Sequence, residues 1–163
     1  MTATIDPNAT LLIATEDQTN ITKGWVEVRA DAPLGGYAVF RSGSRSASPV
    51  EGAIPLQSQF AASVTVPFDN SSEYSTGVAI ANPNPAPVVV TASISDEGGR
   101  SFGTATISIA ANGHTELFIP QEFPLSAGKR GILKLQASAG ATISAVALRL
   151  NRFGAIVSLP NLN

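Results

Sequence analysis

His114 is the one imidazole of the chain, and it directly follows Asn112-Gly113. A catalytic relay or a metal centre needs partners, and the chain has no cysteine and no second histidine to supply them. A lone histidine beside a turn pair is expected to be exposed, so His114 reads as a turn residue. The carboxylates offer two sets, Asp69 with Asn70 and Glu73, and Asp96 with Glu97. Such groups can hydrolyse glycosidic bonds or hold calcium. Neither set has the spacing of a calcium loop, and Asp or Asn at a strand end has a simpler use, accepting hydrogen bonds from the backbone two residues on. Serines abound without a Gly-x-Ser-x-Gly elbow. The sequence therefore assigns no catalytic residue, no cofactor and no metal ligand, and the expectation is a protein that is not an enzyme.

Contact chemistry is the alternative. Trp25 and Tyr37 fall on what counts as an outward register, where an aromatic pair could stack on a sugar or anchor a protein. The competing reading is that further strands cover that face. Arg45 sits in the polar stretch 42–49, expected to be a mobile loop, and joins Trp25 and Tyr37 as a candidate partner or ligand contact. Leu11, Leu12 and Ile13 follow a polar leader and need an apolar partner, which makes 10–15 a candidate donor strand. Arg41 and Arg149 end equivalent strands, where edge charges that discourage aggregation account for them. Asn8, Asn20 and Asn70 fit the N-glycosylation pattern, as chance alone produces in a chain this rich in Asn, Ser and Thr.

The elements that must position these residues are strands. Charged residues make up 13% of the 163, about half the usual share, and aromatics 6%. The core should be aliphatic and the solvent face hydroxyl-rich. A net charge of -2 gives no basic field for nucleic acid. The longest apolar runs fall far short of the roughly 20 residues of a membrane-spanning helix, so no membrane insertion is expected. Residues 1–20 show no basic-then-apolar leader, so an exported protein is expected to contain this chain as a mature portion.

Strand-like runs recur at short intervals, at roughly 10–15, 24–30, 37–41, 52–56, 62–68, 76–82, 88–95, 102–109, 115–119, 132–137, 144–151 and 155–159. One pattern occurs twice. Gly24, then Val26, Val28 and Ala30 in alternation, then 37–41 ending in Arg41, is echoed by Gly131, then Leu133, Leu135 and Ala137, then 145–149 ending in Arg149. Asp96-Glu97-Gly98-Gly99 is expected to close a hairpin, and Asn112-Gly113 to close another that brings Ile109 beside Leu117. The proline-rich stretch 82–87 should cross between sheets and shield the strand after it from edge pairing. A short turn at 121–125 is the only helix expected. These elements predict an all-β, antiparallel two-sheet sandwich with an internal hairpin repeat. Residues 1–23 form an N-terminal segment with one strand, and 24–163 a single sandwich domain with repeat units of about 24–56 and 131–159.

Pro67-Phe68-Asp69-Asn70, Thr76-Gly77 through Asn82-Pro83, Asp96-Glu97-Gly98-Gly99, Asn112-Gly113-His114-Thr115, Phe123-Pro124 and Ala147-Leu148-Arg149 together resemble an immunoglobulin-like β-sandwich module. Such modules recur in large secreted or surface proteins of environmental bacteria. The resemblance spans roughly residues 24–160 and implies export and a structural or adhesive role at the cell surface. It carries over no catalytic residue. Three functions follow as expectations: a structural or adhesive module joined to other domains, a filament subunit assembled with copies of itself through 10–15, and a glycan-binding module.

Overall fold

The computed structural model describes residues 2–14, 24–42, 50–57 and 59–162. Ten strands follow in order: β1 (Tyr37–Ser42), β2 (Val50–Pro55), β3 (Ser63–Asp69), β4 (Tyr74–Ala81), β5 (Val88–Asp96), β6 (Ser101–Ile109), β7 (His114–Phe118), β8 (Arg130–Ala137), β9 (Ser144–Asn151) and β10 (Ile156–Leu159). One helical turn, α1 (Ile119–Glu122), and a 3-10 turn at Pro124–Ser126 lie between β7 and β8. Two four-stranded sheets, ordered β10-β9-β4-β7 and β3-β8-β5-β6, are antiparallel throughout, and β1-β2 forms a separate two-stranded ribbon.

Alternation builds the core. In β5, Val88, Val90, Ala92 and Ile94 are buried while Val89 and Thr91 face solvent, and β8 buries Leu133, Leu135 and Ala137 in the same way. Val64, Val66 and Phe68 complete that sheet, and Val78, Ile80, Ala145 and Ala147 face it from the other. Ile119 and Phe123 add to this core from the α1 region. Each fully buried Val, Leu or Ile contributes about 1.5–3 kcal/mol of transfer free energy. The interior is aliphatic, with Phe68 and Phe123 its only buried aromatics among the described residues.

The sandwich and ten of the expected strands are present, but several expectations fail in instructive ways. Residues 24–30 form no strand; Val26 is 84% exposed, against 0% for its counterpart Leu133. Residues 10–14 likewise lie in no strand, and Leu11, Leu12 and Ile13 are exposed. The sandwich therefore begins at β3, with the β1-β2 ribbon lying against β10.

Asn112-Gly113 does not close a hairpin. Ile109 ends β6 in one sheet and Leu117 sits in β7 of the other, paired with β4. Gly113 donates to the carbonyl of Ala110 at 3.0 Å, and Asn112 takes the positive φ of 51°, so the turn reverses the chain between layers. The proline-rich stretch does cross between sheets, from β4 to β5, but β5 is an interior strand, flanked by β8 and β6, and has no edge to shield. The stretch 43–49, with Arg45, lies outside the described residues, as does Asn20.

Candidate functional site

The side chains with chemical potential gather at the two ends of the sandwich. At one end β3 delivers Asp69 and Asn70, β4 begins with Tyr74 and Thr76, β8 begins with Arg130, and β9 carries Arg149. Asp69 Oδ1 accepts from Ser71 N at 3.0 Å, Ser71 Oγ at 2.6 Å and Arg130 Nε at 3.3 Å. Its Oδ2 accepts from Arg149 Nη1 at 3.2 Å. Partial burial pushes the Asp69 carboxyl upward, but the two Ser71 hydrogen bonds and the Arg130 charge outweigh it, and its pKa lies below the ordinary 3.8.

Asn70 is buried and fully engaged. Its Oδ1 accepts from Thr76 N at 2.9 Å, its Nδ2 donates to Ser126 Oγ at 3.0 Å, and its backbone bonds Lys129 and Gly128. Arg149 lies over the Tyr74 ring, 4.4 Å from the centroid, with its Nε buried and without a hydrogen-bond partner. This arginine is no edge charge: β9 is an interior strand, between β10 and β4, and Arg149 stands in the row of Ala145 and Ala147. Ala145, counted as outward from the echo with Tyr37, is itself buried.

At the other end Asn82 is fully buried. Its Nδ2 donates to the carbonyls of Ala86 at 2.9 Å and Ala110 at 2.8 Å, and its Oδ1 accepts from Asn84 N at 2.9 Å and Asn84 Nδ2 at 2.6 Å. Asn84 Nδ2 also reaches the carbonyl of Thr142 at 2.7 Å. These two amides pin the proline-rich crossover to the β6-β7 turn and to the loop before β9. In the sequence the prolines dominate 82–87, and the Asx pattern Asn82-Pro83-Asn84 is the signal that marks these ties. Arg130 and Ser126 carried no signal, since their partners are 61 and 56 residues away.

The two carboxylate sets behave as turn chemistry. Asp96 Oδ1 accepts from Gly98 N at 3.0 Å and Arg100 N at 2.8 Å, closing the β5-β6 hairpin. Glu73 forms an ion pair with Arg152 at 2.9 Å rather than extending the Asp69 set. An open hollow beside Arg130 mixes both signs of charge, Asp96 and Glu97 with Lys129 and Arg130. Among the described residues no three His, Cys, Asp or Glu side chains converge on a metal position, and His114 is exposed at the start of β7.

The contact candidates are not brought together as a stacking pair. Trp25 is half-buried, its Nε1 donating to the carbonyl of Asn112 at 3.0 Å, while Tyr37 is 72% exposed on β1. No family model matches the chain, and no curated protein and no solved structure matches it either.

Proposed function

We propose that the chain is a non-enzymatic structural or adhesive module of a bacterial surface protein, working outside the cell as a rigid immunoglobulin-like sandwich. One observation carries the reading. Asp69, Asn70 and Arg149 at one end of the sandwich and Asn82 and Asn84 at the other are spent on ties between segments, whereas the exposed large apolar side chains among the described residues are concentrated before residue 61. A protein built this way joins things together through that uncovered segment.

The test is retention of the purified chain on isolated cell envelopes and on immobilised envelope polysaccharide, with the fluorescence of the single tryptophan as a second readout. Saturable retention is expected. A chain that is not retained, and that turns over chromogenic esters or glycosides, overturns the reading.

The second reading is a self-assembling subunit. It is favoured by Leu12, 89% exposed, between Leu11 and Ile13, which are also uncovered. Negative-stain images showing fibres that disappear with Leu12→Lys support it, and a monodisperse particle unaffected by that change removes it. A glycan site needs both aromatics, and the tie of Trp25 to Asn112 favours an anchoring role for that residue instead.

A further inference from the structure

The two copies of the strand pattern meet different fates. In the second, Leu133, Leu135 and Ala137 are buried because β8 has β3 on one side and β5 on the other. In the first, Val26, Glu27, Val28, Arg29 and Ala30 carry the same alternation in the sequence, but they pair with no strand among the described residues and both valines are exposed.

A suitable neighbour exists on the sheet that holds β8. Among the described residues β6 pairs with β5 alone, so its outer edge is open. The other edges of the two four-stranded sheets are guarded. β3 carries Pro67 and is bridged at Thr65 by Leu162; β10 has four residues and lies against β2; β7 has five and includes His114 and Glu116. β6 reads Ser-Phe-Gly-Thr-Ala-Thr-Ile-Ser-Ile over nine residues, with no charge and no proline. A long uncharged edge of this kind associates unless it is covered. Its inner row is also incompletely covered, with Ala105 and Ile107 only half-buried.

The molecule's own segment starts beside the end of β6 and runs on to the other sheet. Trp25 is held by the Asn112 carbonyl, just past the end of β6, and the chain re-enters structure at Gly36, whose carbonyl accepts from Leu56 N at 2.9 Å. That second anchor belongs to the ribbon lying against β10, the edge of its sheet opposite β7. Between the two anchors the valines face outward.

We propose that residues 26–30 of one molecule add as a fifth strand to the open edge of β6 in a second copy of this chain. Val26 and Val28 then extend the inner row of Ala105 and Ile107. Glu27 and Arg29, already paired at 3.0 Å, stand on the outer face beside Thr104 and Thr106 and leave the new edge charged. Because Trp25 lies next to the end of β6 in each molecule, donor and acceptor are neighbours, and the exchange closes as a two-fold pair. The inference rests on reading the chain as a module that joins with others, here with itself.

The absence of cysteine allows a direct test. Glu27→Cys protein is mixed under mild oxidation with Thr104→Cys, Thr106→Cys or Ser108→Cys protein, positions about 7 Å apart that sample the register. Ser63→Cys, on the outer face of β3, is the control. The expected result is a mixed disulfide at one β6 position and none at Ser63→Cys, with light scattering of the unsubstituted chain giving twice 16.7 kDa. Equal cross-linking at Ser63→Cys overturns the proposal. So does an internal disulfide at monomer mass in a chain carrying both Glu27→Cys and Thr106→Cys. Oligomers by scattering without a β6 cross-link overturn this interface and leave assembly standing, whereas a monomer without cross-links overturns self-association as well.

Discussion

Arg149 on β9 donates from Nη1 to Asp69 Oδ2 on β3 at 3.2 Å, so one ion pair ties the two sheets together at the end where the Asn70 turn lies. The same carboxylate holds Arg130 on β8 at 3.3 Å, so three strands converge on one side chain.

Asp69→Asn and Arg149→Met are each expected to cost about 1–2 kcal/mol in urea unfolding, with a coupling of roughly 1 kcal/mol in the double variant. The range is kept low because the Arg149 side chain is one-third exposed and solvent screens the pair. Additive losses show that the two residues act separately.

Acid sensitivity follows from the same carboxyl. Its folded pKa is below the ordinary 3.8, so the stability it contributes is fully present above that value and is lost as pH falls through the lower folded one. Thermal midpoints measured from pH 5 downward should fall, and Asp69→Asn should flatten that fall. An equally steep fall in the variant assigns the acid sensitivity to other groups.

The two glycines that open the repeated pattern should differ sharply. A Cβ at Gly131 overlaps the carbonyl oxygen of Ser95, where the β5-β6 register shifts, whereas a Cβ at Gly24 meets nothing within 4 Å. Gly131→Ala is expected to destabilise by about 3 kcal/mol, and Gly24→Ala by less than about 0.5 kcal/mol. Denaturant midpoints of the two variants check this.

Asn82→Ala removes the donor to Ala86 and Ala110 and strands the amide of Asn84. Buried groups left without partners cost about 1–3 kcal/mol, so a loss of roughly 2–3 kcal/mol is expected, with faster hydrogen exchange at Asn112, whose N–H bonds the Asn84 carbonyl. Exchange unchanged at Asn112 detaches the crossover from the turn.

Much of the sandwich was legible because strand alternation is local. Residues 88–95 declare which side chains face inward without reference to anything else, and Asp96 through Gly99 announce their own hairpin. The pattern at 24–30 is as clear, but a strand exists only beside another, and alternation is silent about neighbours. The same blindness placed Ile109 next to Leu117: Asn112-Gly113 states that the chain reverses, not whether it returns to the same sheet. Arg149 was misread because a charge at a strand end suggests an edge, while its partner Asp69 lies 80 residues back and only the packed sheets bring them together. The asparagine ties at Asn82 and Asn84 were visible as Asx chemistry, yet their carbonyl acceptors at Ala110 and Thr142 were not.

The acceptor-like run Asn70-Ser71-Ser72 is closed to enzymes once the sandwich has formed. Asn70 is 5% exposed, and both polar atoms of its side chain are taken by Thr76 and Ser126. Sugar transfer and native folding thus compete for one side chain, and an oligosaccharide found there marks a molecule that was modified before it folded.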